Sequence, residues 1–200
     1  MRADMKPGAI FPDYELPSHT GQRRRLSELQ GNDPMIVFLS RGHYCPKDRR
    51  HLGLVVQFYP DIELGYTKVV TISTDGISLT NEFRSGLGAQ WPFLSDPDRL
   101  VQKDLDIQEY TDPKNNPMIP HTIVLEPGLR VFKIYEGYWY WGRPSMQDLW
   151  GDLREITRRV RPDWSLATPA VKRAWERGER EQFFPYRAAR EDALVGEKRS

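Results

Sequence analysis

An α/β fold is predicted for this chain, with a central mixed sheet flanked by helices, an N-terminal β-hairpin and a C-terminal helical tail. Three observations predict it. Two apolar runs, Met35–Leu39 and Lys68–Ser73, lack strict alternation, as strands covered on both faces do. Each is followed by residues with the apolar spacing or start signals of a helix. Later, Thr122–Leu125 and Arg130–Tyr135 are joined by Glu126-Pro127-Gly128-Leu129, which is hairpin spacing. Strand, helix, strand, helix, then a hairpin and a closing helix give a sheet that begins parallel and ends antiparallel.

Taken in order, Ala9–Pro17 and the basic run Gln22–Arg25 flank Gly21 and read as the N-terminal hairpin, with a short helical turn at Ser27–Leu29. Three consecutive arginines are read as a solvated strand end rather than a phosphate site. From Cys45 to Tyr59, Leu52, Val55, Val56 and Tyr59 follow helical spacing, and Pro60 is expected to end that helix. A second helix starts at Ser78–Phe83 and is expected to stop at Gly86 and Gly88. Trp91–Leu94 reads as a short strand and Arg99–Leu105 as a helix. Thr111–Pro117 is turn-rich. The aromatic run Tyr138–Trp141 reads as hairpin packing rather than a recognition surface. The closing helix, about Ser145–Val160, places Met146, Leu149, Leu153 and Ile156 on one face.

The only compositional shift falls at Arg161-Pro162, which divides a domain at 5–160 from a Lys, Arg and Glu-rich tail at 161–200. In the tail, Pro169–Arg177 can form one amphipathic helix with Val171, Ala174 and Trp175 on its buried side, and Phe183–Tyr186 is too aromatic for a solvated linker. Docking on the domain is one reading of these pieces, and a homodimer contact is the other.

The chain has 200 residues, 38% of them hydrophobic and 28% charged, with a net charge of +1. That balance gives no reason to expect nucleic acid or an anionic membrane as partner. No apolar run reaches signal-peptide or membrane-spanning length, so a cytoplasmic, reducing location is the default expectation. A single cysteine excludes an internal disulfide.

That cysteine, Cys45, falls where the strand Met35–Leu39 hands over to a helix, through Ser40-Arg41-Gly42-His43-Tyr44-Cys45-Pro46. Free N–H groups and the positive end of the macrodipole favour a thiolate there. Pro46 suits a first helical turn. Arg41, Lys47, Arg49 and Arg50 add positive charge nearby in sequence. Cys45 is therefore expected to ionise below the ~8.5 of a free cysteine. Asp48, three residues on, lies about one turn along the same face.

These features, in this order, resemble the thioredoxin superfamily, and more narrowly the peroxiredoxin-like branch of alkyl hydroperoxide reductase and thiol-specific antioxidant proteins. Four segments carry the resemblance. Gly8–Pro17 with Gly21 and Leu26–Leu29 is similar to the family's N-terminal hairpin. Phe38–Pro46 with Arg49, Arg50 and Leu52 looks like the active-site turn of members with an Arg-Gly-x-aromatic-Cys-Pro motif. Trp91–Pro97 is similar to a Phe-Pro-Leu-Leu-Ser-Asp segment. Ile119-Pro120 with Glu126–Gly128 is similar to the cis-proline loop and its hairpin.

The resemblance implies a thioredoxin-like fold and a thiol-dependent peroxidase in which Cys45 reduces hydroperoxides and an external thiol restores it, without metal or cofactor. It implies Cys45, Arg41 and His121 as catalytic residues, and Gly42, His43, Tyr44 and Pro120 at the substrate. The N–H groups of Tyr44 and Cys45 would hold an anion, and His121 would donate or act as base unless it is a solvent-facing strand end. Ile119-Pro120 would be cis and lie against Cys45. Two departures stand out. The family's Pro seven residues and Thr or Ser three residues before the cysteine are here Phe38 and Gly42. Asp48 replaces the second cysteine of Cys-Pro-x-Cys relatives, so Asp48→Cys is expected to form a disulfide with Cys45 at little cost to folding. The alternatives are a thiol-disulfide reductase acting by mixed disulfide with a small thiol, and a non-enzymatic scaffold that binds a partner.

Overall fold

In the computed structural model, residues 1–164 and 168–179 are described. The chain divides into two units, Met1–Val160 and Arg161–Ser200. In the first, β1 (Glu15–Pro17) and β2 (Arg23–Arg25) form the hairpin, followed by α1 (Leu26–Gln30), β3 (Met35–Ser40) and α2 (Pro46–Leu64). Then come β4 (Lys68–Ser73), α3 (Ile77–Leu87), β5 (Phe93–Ser95), α4 (Leu100–Asp104), β6 (His121–Glu126), β7 (Arg130–Glu136) and α5 (Met146–Val160). Of the second unit, a short 3-10 turn at Pro162–Trp164 and α6 (Pro169–Glu176) are described.

The sheet runs β5-β4-β3-β6-β7. β3 pairs parallel with β4 and β4 parallel with β5, whereas β6 joins β3 and β7 antiparallel. The mixed sheet expected from the order of elements is therefore the one formed. Period-two alternation divides the central strand between two cores. Met35, Val37 and Leu39 face Phe11, Leu26 and Val101, while Ile36 and Phe38 face Leu52, Phe83 and Ile156. Every residue of β3 is buried, which is why its sequence shows no polar alternation.

This topology brings all the chemistry to one edge. The carboxyl ends of β3, β4 and β5 lie together, and three serines stand in register across them: Ser40 opposite Ser73, and Ser73 opposite Ser95. Because β6 is antiparallel to β3, its first residue, His121, lies opposite Leu39 at that edge, and β7 ends there opposite His121. Crevices at the carboxyl ends of parallel strands are where such folds place ligands.

Four expectations need correction. Pro60 does not end α2, which continues to Leu64. Burial of Ile62 and the cap at Gly65, whose N–H donates to Asp61 at 3.0 Å, hold the last turn beyond the proline. Gly86 lies inside α3, and Gly88, in the left-handed conformation, supplies the cap. The aromatic run is not packed: Trp139 and Trp141 are 65% and 86% exposed around a 3-10 turn at Tyr140–Gly142. In α6, Ala174 is buried but Trp175 is 52% exposed. Phe183–Tyr186 lies outside the described residues.

Pro60 is exposed and deprives the Val56 carbonyl of its helical donor. Pro60→Ala is expected to stabilise the protein by about 1–2 kcal/mol, the restored helical bond outweighing the freer unfolded chain. The urea midpoint should rise, and a fall would contradict this account of the helix.

Candidate active site

Cys45 is the N-cap of α2 and Pro46 its first residue. The locked φ of Pro46 suits that position, and its missing N–H is one the helix start would leave unpaired. The Cys45 carbonyl accepts the first helical bond from Arg49 N–H at 3.0 Å. Its own N–H, expected to face an anion, instead donates to the Gly42 carbonyl at 3.1 Å and closes a turn over residues 42–45. The residue is only 1% exposed.

Arg41 crosses this turn. Its Nη1 lies 4.0 Å from the Cys45 sulfur, and its guanidinium sits 5.6 Å from the centre of the Tyr44 ring. Lys47, Arg49 and Arg50, close in sequence, are exposed, and Arg49 lies over Phe83 with its Nη2 donating to the His43 carbonyl. Arg41 is thus the cation the fold brings to the sulfur.

Two carboxylates from the turn-rich segment hold Arg41. Glu109 Oε2 is 2.8 Å from its Nε and Asp112 Oδ2 is 3.1 Å from its Nη2. Tyr44 hydroxyl donates to the same Asp112 oxygen at 3.0 Å. Hydrogen bonds from Asn115, helped by Tyr44 and Arg41, hold the Asp112 carboxyl below the usual carboxylate range, while burial first and this contact second push the Tyr44 phenol up.

Gly42 explains one departure from the family pattern. Its φ is +114°, a region that side chains rarely adopt, and a Cβ there would lie 2.7 Å from Asp75 Oδ2. The place a threonine or serine would take is filled by the Asp75 carboxylate. That carboxylate accepts from His43 N–H at 2.8 Å and from Ser73 hydroxyl at 3.1 Å, and it lies 2.9 Å from His43 Nδ1. His43 is half-buried against it rather than fully solvated.

Asp48 faces inward. It accepts from Ser40 hydroxyl at 3.1 Å and Arg41 N–H at 2.7 Å, and it is ion-paired with Arg143, whose Nε and Nη2 both reach Oδ1. Both side chains are almost fully buried. The expectation that Asp48→Cys would cost little is therefore corrected: it would leave Arg143 buried without its carboxylate.

His121 and Pro120 line a small buried cavity with Asp48, His51 and Arg143; Cys45 and Arg41 are not among its lining residues. His121 is buried, not a solvent-facing strand end, and its Nδ1 donates to the Ile119 carbonyl at 2.8 Å. Burial lowers its basicity. Among the described residues there is no cis peptide bond, so the expected cis Ile119-Pro120 is corrected to trans. Flanking bonds hold that geometry: Ile119 N–H to the Ile107 carbonyl at 2.6 Å, and Gly137 N–H to the Pro120 carbonyl at 2.7 Å.

Sequence reasoning missed Asp75, Glu109, Asp112, His51 and Arg143 as members of this site. No local motif marks them: Asp75, Glu109, Asp112 and Arg143 reach the start of α2 or the turn before it from distant loops, and His51 is an inward-facing residue of α2 bonded to Pro144. Among the described residues, no three His, Cys, Asp or Glu side chains converge as metal ligands would, and no helix is long and apolar enough to cross a membrane.

Comparison with known proteins agrees with this geometry. Residues 7–133 match the model of the AhpC/TSA family, and the chain belongs to that family. It is a peroxiredoxin-like member of the thioredoxin superfamily. It is 26% identical over 133 residues to "Putative peroxiredoxin Rv1608c" of Mycobacterium tuberculosis, covering 65% of this chain and 84% of that protein. It is also 26% identical over 107 residues to the 1-Cys peroxiredoxin PER1 of Hordeum vulgare, covering 50% of this chain and 49% of that protein. Among solved structures, peroxidoxin BcpB of Mycobacterium tuberculosis has the same fold, with a TM-score of 0.66, 24% identity and coverage of 78% of this chain and 99% of that one.

Two predictions follow from the buried polar cluster. Asp48→Ala should destabilise the protein by about 3–5 kcal/mol, because it strands the Arg143 guanidinium away from water. Denaturant titration would measure it, and a loss below about 1 kcal/mol, the worth of a surface pair, would contradict the burial of the pair. His51 Nε2 donates to the Pro144 carbonyl at 3.0 Å; burial first, then Arg143, lowers its pKa from 6.5 to about 4. The folded state therefore binds this proton less readily than the unfolded one. The stability linked to His51 is complete above pH 6.5 and is lost as pH falls from 6.5 toward about 4, by about 3 kcal/mol. His51→Gln should flatten that part of the pH–stability curve relative to the wild type.

Proposed function

We propose that this peroxiredoxin-like oxidoreductase reduces hydroperoxides with the single thiol of Cys45 and is restored by an external thiol. The observation that carries this reading is the isolated sulfur at a helix start with a guanidinium nitrogen 4.0 Å away. The chain's membership of the AhpC/TSA family and its similarity to a 1-Cys peroxiredoxin support it.

In the step, the Cys45 thiolate attacks one peroxide oxygen, forming an S–O bond as the O–O bond breaks. Sulfur is oxidised to sulfenic acid. The other oxygen leaves with the bonding pair as hydroxide or alkoxide and takes a proton from solvent, giving water or an alcohol. Arg41 stabilises the thiolate and the departing oxyanion. The turn Gly42-His43-Tyr44 shapes the approach. His121, with Nδ1 committed to Ile119 and its basicity lowered, acts in this reading as a neutral neighbour of the Asp48–Arg143 pair.

Restoration needs two equivalents of outside thiol. The first condenses with the sulfenic acid, releasing water and leaving a mixed disulfide. The second displaces Cys45 as thiol. Because position 48 is aspartate, no partner thiol stands one turn along the helix. The depth of Cys45 favours a small oxidant over a bulky disulfide as first substrate, which places the peroxidase ahead of the thiol-disulfide reductase.

Stopped-flow mixing of reduced protein with hydrogen peroxide tests the reading. Oxidation should exceed that of free cysteine by about 100-fold or more, the scale of one well-placed oxyanion donor. Mass spectrometry should find one added oxygen on Cys45, converted to a mixed disulfide by glutathione, and Cys45→Ser should abolish both. A rate equal to that of free thiol would remove the assignment.

A further inference from the structure

Arg41 has five N–H groups, and the structure divides them. Glu109 takes one edge of the guanidinium side-on, with Oε2 2.8 Å from Nε and Oε1 accepting from Nη2 at 3.1 Å. Asp112 Oδ2 accepts from Nη2 as well, at 3.1 Å. Nη2 thus donates to both carboxylates, and Nε is ion-paired with Glu109 without a hydrogen bond between them. Nη1 has no carboxylate, and its polar contact among the described residues is the Cys45 sulfur.

The carboxylates are themselves held. Thr111 hydroxyl donates to Glu109 Oε1 at 2.8 Å, and Asn115 binds both oxygens of Asp112, at 3.1 and 2.9 Å. Tyr44 closes the circuit, its hydroxyl on Asp112 and its ring against the Arg41 guanidinium. Glu109 is buried, so its charge is committed to this pair.

We propose that Glu109 and Asp112 are positioning residues for the peroxidase reaction: they clamp one edge of the Arg41 fork so that both Nη1 protons remain for the sulfur and the departing oxygen. A free arginine would sample many rotamers, and two carboxylates near an unclamped guanidinium would draw it away from sulfur. Here the two ion pairs, with Nη2 hydrogen-bonded to both acids, aim the cation. In the attack described above, one Nη1 proton faces Sγ and the other meets the oxygen that leaves with the bonding pair. This inference rests on the peroxidase reading and assigns the part that segment 106–118 plays in it.

Rates with hydrogen peroxide and with iodoacetamide separate positioning from mere structure, because alkylation by the second reagent needs thiolate but releases no oxyanion. At a pH where the thiol is fully ionised, Glu109→Gln should slow oxidation by peroxide about 10-fold to 100-fold, the usual range for supporting residues behind a key ligand. Alkylation should stay within about twofold of wild type. Asp112→Asn, which keeps an acceptor for Tyr44, should slow oxidation by about fivefold with the same indifference to alkylation. In an Arg41→Lys background, Glu109→Gln should add less than about twofold, since the fork it aims is gone. Should Glu109→Gln fail to fold, Asp112→Asn and its double mutant with Arg41→Lys carry the same test. A fast wild type with variants that retain its rate, or that lose both reactions equally, overturns the clamp alone. A wild type no faster than free cysteine overturns the peroxidase reading and the clamp together.

Discussion

The buried ion pair between Asp48 and Arg143 joins three pieces of chain that would otherwise be free to move apart. Asp48 belongs to the first turn of α2, Arg143 to the segment after β7, and the same carboxylate accepts from Ser40 at the end of β3 and from the main chain of Arg41. Strand end, active-site turn, helix start and the 137–145 segment therefore share one anchor. Removed from water, each charge requires the other, so the arrangement holds as a unit or is lost as a unit. The turn bearing Cys45 is fixed at both ends by this constraint, and the direction in which Arg41 leaves β3 is set by its N–H to Asp48.

Asp75 plays a matching part from the neighbouring strand. Ser73 and Ser95, in register on β4 and β5, hold its carboxylate and its carbonyl, and the carboxylate presses on Gly42. A residue with a hydroxyl at position 42 would need both a less strained backbone conformation and displacement of the Asp75 carboxylate. Glycine at 42 and aspartate at 75 form one solution, in which carboxylate and backbone fill the space a side chain would have occupied.

The site carries acids and bases in close pairs: Arg41 with Glu109 and Asp112, Arg143 with Asp48, His43 with Asp75. Charge near the sulfur is consequently a matter of direction more than of amount. The exposed Lys47, Arg49 and Arg50 enrich the sequence around Cys45 in positive charge, yet Arg41 is the cation aimed at the sulfur, because acids elsewhere aim it.

Much of the fold was legible in the sequence because its signals are local. Unbroken apolar runs marked β3 and β4, a turn between two strands marked the final hairpin, and Cys45-Pro46 marked the start of α2. Each depends on residues within a few positions of one another, where spacing and φ preferences act directly. Pro60 was misread because a local rule was overridden by burial of Ile62, and a cis Ile119-Pro120 bond was expected from a resemblance, a geometry that the dipeptide itself does not fix. The partners of the active-site turn were illegible for the same reason. Asp48 meets Arg143 across 95 residues, Arg41 meets Glu109 and Asp112 across 68 and 71, and His43 meets Asp75 across 32. By itself the sequence determined the order of elements and the place of the sole thiol. Only the tertiary structure decided which charges face that thiol, because loops distant in the chain converge at one sheet edge, and burial there makes unpaired charges too costly to keep.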